Sequence, residues 1–169
     1  MKLKKIICWP PLFAGVGAGF TITILTYITF QSILAGHIYG LWLTAAFGSS
    51  VVLVFGYPEN EFAQPKNVIF GHLISAFVGI VFVTLFKISQ DRTIFFLAIG
   101  IAVGIAVMLM MALKITHPPA GGNTIVVMLT QDSFQFLIFP IMVGAITIVI
   151  GGVIYNRFIL KKNYPLKWL

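Results

Sequence analysis

The apolar sequence of this chain is interrupted by His117-Pro118-Pro119-Ala120-Gly121-Gly122-Asn123-Thr124. Irregular backbone at membrane depth is tolerated only where it is packed inside protein or lines a polar cavity. A second interruption, Ala46-Phe47-Gly48-Ser49-Ser50, stands in the first half of the chain. Two such breaks in corresponding halves indicate the binding site of a transporter.

The composition excludes a water-soluble domain. The chain of 169 residues is 59% hydrophobic and 9% charged, whereas soluble domains carry about 25% charged residues. We therefore expect one all-α, polytopic membrane domain over residues 1–169, with no soluble catalytic domain and no nucleotide-binding loop.

The net charge of +7 is concentrated at the ends of the chain. The basic residues outside the first and last apolar runs are Lys2, Lys4, Lys5, Arg157, Lys161, Lys162 and Lys167. Basic residues at the ends of spans mark the cytoplasmic side and contact anionic lipid. The pattern predicts both termini in the cytoplasm, a bacterial inner membrane location, and the lipid bilayer rather than nucleic acid as the partner of these charges.

Four segments have the roughly 20 apolar residues that cross a hydrocarbon core: Pro11–Leu34, Asn67–Phe86, Ile94–Leu113 and Phe134–Tyr155. Two further segments are weaker: Leu41–Tyr57 and Ile115–Gln131. The charge distribution fits six crossings as well as four crossings with two re-entrant segments, and we prefer six, two of them broken. The halves 11–86 and 94–155 align loosely, and three crossings in each half would make the repeat inverted.

The two weak segments predict half-helices whose N-termini meet near the middle of the membrane. Ser49 and Asn123 are suitable N-caps, and Pro119 suits a first helical turn. Facing N-termini offer N–H groups and partial positive charge to a small anion. A Pro-Pro kink filled by small side chains is the alternative. The candidate substrate-binding residues are Gly48, Ser49, Ser50, His117, Gly121, Gly122, Asn123 and Thr124.

Three residues are candidates for gating or proton relay: His72, His117 and Asn67. An ionisable group within a span, such as His72, indicates function, with interhelical hydrogen bonding as the alternative. His117 precedes Pro118, which forces its backbone towards an extended conformation. Histidine titrates near neutral pH, so His117 could be a switch or a hydrogen-bonded anchor. Asn67 is a plausible N-cap of the next span.

No cofactor, metal ligand set or catalytic residue is predicted. Cys8 is the single cysteine, and Glu59 and Glu61 share a loop without a neighbouring histidine, so metal-ligand spacing is lacking. Two prolines after His117 disfavour a role as a haem ligand. With no nucleophile–base pair visible, we do not expect an enzyme.

Three motifs together resemble the HPP family of integral membrane proteins: His117-Pro118-Pro119-Ala120-Gly121, Phe47-Gly48-Ser49-Ser50-Val51-Val52-Leu53-Val54-Phe55 and Ala63-Gln64-Pro65-Lys66-Asn67-Val68-Ile69-Phe70-Gly71-His72-Leu73-Ile74-Ser75-Ala76. The likeness extends from about Pro11 to Tyr155. It implies four membrane spans and, from plastid and cyanobacterial members, transport of nitrite or a similar small anion. Ser49-Ser50 and Gly122-Asn123 stand where the family has smaller, alanine-containing runs, and the added donors could alter anion preference.

Three functions stay open at this stage. The first is a transporter or channel for a small monovalent anion, with nitrite favoured. The second is a non-transporting membrane scaffold or partner subunit, and the third a proton-coupled carrier of a small neutral solute. A homo-oligomer would help so short a chain to build a pathway, and pairs such as Gly15/Gly19 and Gly100/Gly104 could serve that assembly or the internal fold.

Overall fold

The computed structural model describes residues 9–34, 43–86 and 92–168. The predicted N-terminal charges Lys2, Lys4 and Lys5, and also Cys8, lie outside the described residues. Within the described ranges the chain forms helices and no strands. The helices are α1 (Trp9–Leu34), α2 (Leu43–Val51), α3 (Pro65–Phe86), α4 (Arg92–Ala112), α5 (Gly121–Thr130) and α6 (Val143–Gly152).

Short turns of other helical types extend several of these helices. A π-helical turn, Val52–Gly56, continues α2, and a 3₁₀ turn, Pro118–Ala120, leads into α5. The last helix is flanked by two π-helical turns, Leu137–Met142 before it and Val153–Ile159 after it. A further 3₁₀ turn, Glu61–Ala63, lies in the loop between α2 and α3.

Four described segments are long and apolar enough to cross a membrane: Pro11–Gln31, Pro65–Leu85, Ile94–Ala112 and Leu137–Ile159. Their mean hydropathy runs from 1.6 to 2.8, and they coincide with the four strong predicted spans. α2 and α5, with their turns, fall on the two weak segments and are each only about 20 Å long. The predicted all-α membrane fold with four full spans and two short segments is therefore confirmed.

Close packing shows that α3 and α5 run in the same direction. A Cβ added to Gly71 would lie 2.7 Å from the Cβ of His117, just before α5, and one added to Gly79 would lie 3.0 Å from the Cβ of Val127. Glycine at both positions lets the two helices approach closely, as small residues do in membranes. This contact brings the polar start of α5 against the middle of α3.

α2 and α6 are likewise parallel to each other. Phe47 packs against Gly144, and Val54 packs against Gly152. The segment after α6 returns to the loop before α3, so α6 ends on the side of the bundle where α3 begins. α2, parallel to α6, therefore runs towards that side, and α5, parallel to α3, runs away from it. α2 and α5 thus run in opposite directions, as an inverted repeat requires. The repeat of the halves 11–86 and 94–155 itself stays a prediction.

α3 is the central helix of the bundle. Inside the bundle, 44% of its apolar window is buried, compared with 17% for α4. The largest cluster of buried apolar side chains lies between α1, α2, α3 and α6, and a smaller one joins α3, α4 and α5. Gly15, Gly19, Gly100 and Gly104 have no heavy atom within 4 Å of an added Cβ, so they take no part in this internal packing.

The prediction that a half-helix begins at Ser49 is wrong. Ser49 lies inside α2, which extends from Leu43 to Val51, and its side chain is exposed. The next residue, Ser50, also lies inside α2, with its hydroxyl oxygen 3.1 Å from the carbonyl oxygen of Ala46, a position that serine can occupy within a helix. The two-serine run therefore does not break the helix, and no helix N-terminus faces the membrane centre at this point.

The second break forms largely as its prolines require. His117 has extended backbone (φ −135°, ψ 97°), and Pro118 and Pro119 open the 3₁₀ turn. Asn123, however, is not an N-cap, because α5 begins at Gly121 and Asn123 is its third residue. Its side chain is used across the bundle instead of at the helix end.

The segment 161–168 folds back over the loop between α2 and α3, and we call it the C-terminal strap. The Tyr164 hydroxyl donates to the Ala63 carbonyl at 2.9 Å, and the Leu166 N–H donates to Gln64 Oε1 at 2.8 Å. Burial raises the pKa of the Tyr164 phenol well above its ordinary value, so the hydroxyl keeps its proton. The Gln64 amide in turn donates to the Pro58 carbonyl at 2.9 Å. The strap thus holds this loop in place.

Candidate functional site

Polar side chains from α2, α3 and α5 meet inside the bundle, together with the side chain of His117 in the break before α5. The members, all with no measurable exposure, are Ser50, His72, Ser75, His117, Asn123 and Thr124. A polar group buried away from water is costly unless it is hydrogen-bonded. These side chains therefore depend on one another.

Ser50 joins the two histidines. Its Oγ lies 2.9 Å from Nε2 of His72 and 2.8 Å from Nε2 of His117. The two imidazole rings lie with their centroids 5.1 Å apart and their planes inclined at 57°. One hydroxyl on α2 therefore connects α3 to the break before α5.

The Nδ1 atoms of the two histidines contact two different groups. Nδ1 of His117 lies 2.7 Å from the carbonyl oxygen of Phe62. Nδ1 of His72 lies 2.7 Å from the amide nitrogen of Asn123, which also lies 3.3 Å from the His72 carbonyl oxygen. We call the sequence Asn123–His72–Ser50–His117–Phe62 the histidine chain.

The partners assign a proton to every link of the histidine chain. A carbonyl oxygen only accepts, so His117 carries a proton on Nδ1. The single proton of the Ser50 hydroxyl goes to Nε2 of His117, its nearer acceptor at 2.8 Å, rather than to the Ala46 carbonyl at 3.1 Å. An amide nitrogen only donates, so Nδ1 of His72 accepts and its Nε2–H donates to Ser50 Oγ. Reversing the Asn123 amide would set two acceptor oxygens against each other at the His72 carbonyl. Because a buried charge without a partner is costly, we assign both histidines as neutral, and the hydrogen bonds of the histidine chain then run in one direction, from Asn123 to Phe62.

Ser75 and Thr124 form a polar pair beside the histidine chain. Thr124 Oγ1 donates to the Ser75 carbonyl at 2.7 Å, which leaves the Ser75 hydroxyl to donate to Thr124 Oγ1 at 2.9 Å. The Thr124 backbone N–H also reaches Ser75 Oγ at 3.3 Å. This pair fixes the start of α5 on the middle of α3.

Asn67 lies closer to the surface. Its amide donates to the Thr116 carbonyl at 2.8 Å and so ties the first turn of α3 to the residue before His117. Beside this bond is an open cavity of about 390 Å³ lined by Glu61, Phe62, Asn67, Met111, Lys114 and Thr116. Because Phe62 and Thr116 both border this cavity, we call it the mouth of the site.

The structure brings some of the predicted site residues together and leaves others apart. Those that meet are Ser50, His72, His117, Asn123 and Thr124. Ser49 is exposed, and Gly48, Gly121 and Gly122 are partly buried with no heavy atom within 4 Å of an added Cβ. Asn67 lies at the mouth.

Two members of the site were missed in the sequence. The Phe62 carbonyl is a backbone group, and no side-chain pattern announces it. Ser75 lies three residues after His72 on α3, a spacing that places both on one helix face. That spacing was a usable signal.

The arrangement is uncharged and can exchange protons. The buried members include no lysine, arginine or carboxylate. In the part of the chain that the structure describes, no three His, Cys, Asp or Glu side chains converge as metal ligands. Neutral imidazoles linked by a hydroxyl both donate and accept, so the chain can pass or take up a proton.

Comparisons with known proteins identify the family. The model of the HPP transmembrane region matches residues 5–165. The chain is similar to two Dictyostelium discoideum proteins named only as transmembrane proteins. One is 32% identical over 156 residues, which is 89% of this chain and 53% of the relative. The other is 32% identical over 133 residues, which is 76% of this chain and 42% of the relative.

The chain spans about half the length of these curated relatives or less. No solved structure matches it. The family model nevertheless covers nearly all of the chain, including both broken segments and all the polar residues described above. The resemblance that the three motifs suggested is confirmed: this chain belongs to the HPP family of integral membrane proteins.

Proposed function

We propose that the protein carries a small solute across the membrane by way of the histidine chain, and that the solute is a small monovalent anion, with nitrite in first place. The observation that carries the proposal is the continuous hydrogen-bonded connection from Asn123 to Phe62 in the interior of a membrane bundle. Ionisable groups at such a depth are costly and mark substrate or proton pathways.

A purely structural role accounts poorly for the histidine chain. One hydrogen bond between membrane helices contributes on average about 0.6 kcal/mol, and the Ser75–Thr124 pair already supplies such bonds between α3 and α5. Apolar side chains could fill the positions of His72 and His117 with no desolvation cost. Two buried imidazoles therefore favour transport over a scaffold.

The mouth supports a route to the site. Lys114 and Glu61 are both exposed on its wall, and we propose that the lysine attracts anions from solution. The four side chains of the histidine chain, Ser50, His72, His117 and Asn123, are fully buried, so the described arrangement is closed. A solute reaches it only when the break that carries His117 moves away from Ser50 and Phe62.

The charge pattern supports a cytoplasmic position for the mouth. The described basic residues that lie at this end of the bundle are Lys66, Lys114, Arg157, Lys161, Lys162 and Lys167. The positive-inside rule supports the cytoplasm as the compartment that this end faces, and we propose a bacterial inner membrane as the host. The C-terminal strap is then cytoplasmic.

Nitrite is proposed on two grounds. The family resemblance implies it, and a site without fixed charge suits a small monovalent ion better than a multivalent one. Among the residues whose burial the structure describes, no buried arginine is present to bind a dicarboxylate in a bidentate manner. The directional, neutral histidine chain also supports a second candidate, a proton-coupled carrier of a small neutral solute.

Proteoliposomes of the purified full chain test the proposal. Uptake of nitrite, nitrate, formate and chloride is compared with that into protein-free vesicles. We expect saturable, selective nitrite uptake that is lost in His72→Phe, which removes the ring nitrogens but fills the same space. If the correctly folded protein transports none of the four solutes, the proposal is contradicted and a non-transporting scaffold role is favoured.

A further inference from the structure

Asn123 carries an unpaired acceptor at the centre of the bundle. In the described part of the chain two buried side-chain atoms have no hydrogen-bond partner, Asn123 Oδ1 and Asn156 Oδ1. Asn156 lies after α6, where its amide donates to the Val54 carbonyl at 2.9 Å. Asn123 Oδ1, in contrast, belongs to the candidate site. A buried acceptor without a partner is costly, and the partner that satisfies it is a donor.

The side-chain protons of the histidine chain are all in use. The Asn123 amide donates to Nδ1 and to the carbonyl of His72. His72 donates to Ser50, Ser50 to His117, and His117 to the Phe62 carbonyl. The atom of the histidine chain that is left without a hydrogen-bond partner, Asn123 Oδ1, is therefore an acceptor.

The neighbouring polar pair offers no spare donor either. The Thr124 hydroxyl proton goes to the Ser75 carbonyl, and the Ser75 hydroxyl proton goes to Thr124 Oγ1. A bare anion only accepts hydrogen bonds, so it would have to break one of these bonds and would still leave Asn123 Oδ1 unpaired. A solute with an O–H or N–H group satisfies that oxygen without disturbing the others.

We propose, resting on the transport function above, that the species bound at the centre carries its own proton and donates it in a hydrogen bond to Asn123 Oδ1. For an anion this means that the neutral conjugate acid crosses: nitrous acid rather than nitrite, formic acid rather than formate. The O–H bond of the acid stays intact during passage, and the acid ionises again in water on the far side. One proton therefore accompanies each anion and no net charge moves.

The test uses the full chain in proteoliposomes at fixed total nitrite. Potassium and valinomycin clamp the membrane potential at zero or inside-negative, and the external pH is set at two values one unit apart. Uptake into protein-free vesicles is subtracted at each condition, because protonated acids also cross lipid unaided. Nitrate is the comparison anion, since its conjugate acid is too strong to exist at these pH values.

We expect protein-dependent nitrite uptake to rise about tenfold for each unit fall in external pH, because the concentration of the protonated acid does so. The uptake should not respond to the clamped potential, and nitrate should not be carried. Nitrite uptake that falls with an inside-negative potential, or that follows total nitrite irrespective of pH, overturns the inference but leaves the transport function standing. Absence of protein-dependent uptake at every pH contradicts the transport function itself.

Substitution of the acceptor gives an independent arm. Asn123→Leu removes Oδ1 and should reduce the pH-dependent uptake at least about tenfold, the factor that corresponds to loss of one good hydrogen bond. Asn156→Leu removes the other unpaired oxygen and is the matched control, for which we expect uptake per folded protein to be retained. Equal losses in the two variants would overturn the assignment of Asn123 as the acceptor. The wild-type pH and potential series decides the inference even if either variant fails to fold.

Discussion

Thr124 and Ser75 bind each other through both hydroxyls, with Thr124 Oγ1 donating to the Ser75 carbonyl at 2.7 Å and accepting from the Ser75 hydroxyl at 2.9 Å. This pair joins α5 to α3 one helical turn from His72. It fixes the position of the helix on which Asn123 stands, and thereby the geometry of the histidine chain.

Removing the Thr124 hydroxyl should destabilise the fold. Thr124→Val keeps the shape of the side chain but breaks both bonds, and we expect the free energy of unfolding to fall by about 1–3 kcal/mol. Thermal unfolding in detergent measures the change. Thr23→Val is the control, because the Thr23 hydroxyl is exposed and bonds only to the Gly19 carbonyl of its own helix. Similar midpoints for the two variants would argue against a structural role for the pair.

The adjacent serines offer a matched test of the site. Ser50→Ala removes the hydroxyl that links the two histidines, whereas Ser49→Ala changes an exposed side chain. Without its bridge, Nε2 of His117 loses its donor, and we expect nitrite uptake to fall at least about tenfold, as for one lost hydrogen bond. Ser49→Ala should transport like the wild type. The transport site must be sought elsewhere if Ser50→Ala is fully active.

A methyl group at Gly71 should displace His117. The added Cβ would stand 2.7 Å from the Cβ of His117 and 3.1 Å from the Ile115 carbonyl oxygen, so the break must move away from α3. We expect Gly71→Ala to lower stability by about 1–3 kcal/mol, the usual cost of overpacking, and to reduce uptake strongly.

Gly100→Ala is the control for this substitution, because no heavy atom lies within 4 Å of its added Cβ. Unfolding in detergent and uptake in proteoliposomes are measured for both variants. If Gly71→Ala is as stable and active as Gly100→Ala, the close approach of α3 to the break does not hold the histidine.

The phenol of the C-terminal strap should contribute measurably to stability. Tyr164→Phe removes the donor to the Ala63 carbonyl while keeping the buried ring. We expect a loss of about 1 kcal/mol, typical of a net hydrogen bond, with a smaller effect on uptake because Gln64 still holds the loop. Tyr57→Phe, at an exposed ring, is the control. Equal unfolding midpoints would mean that the strap hydrogen bond is matched by water in the free segment.

The sequence predicted those features of the fold that depend on local chemistry. The four long spans follow from length and hydropathy alone, and the extended backbone at His117 follows from the ring of Pro118. Both can be derived without any tertiary contact. The structure agrees with them for that reason.

Prediction from the sequence is wrong where packing, and not local propensity, decides which residue faces the interior. Ser49 and Ser50 have the same capping preference, but neighbouring positions on a helix point about 100° apart, so the packing of α2 selects Ser50 for the interior and leaves Ser49 outside. Asn123 was assigned to a helix end by propensity, whereas contact with His72 decides its use. The Phe62 carbonyl depends on how a loop is held from the other end of the chain, and no local pattern reports that.

The C-terminal strap has a practical consequence. Terminal segments usually tolerate alteration, but here Tyr164 and Leu166 secure the loop whose Phe62 carbonyl ends the histidine chain. We expect a purification tag, fluorescent fusion or truncation in this segment to loosen the loop that carries the Phe62 carbonyl. Affinity handles and reporters should therefore be kept away from residues 161–168, because a change there would alter the hydrogen-bond acceptor of His117 together with the loop.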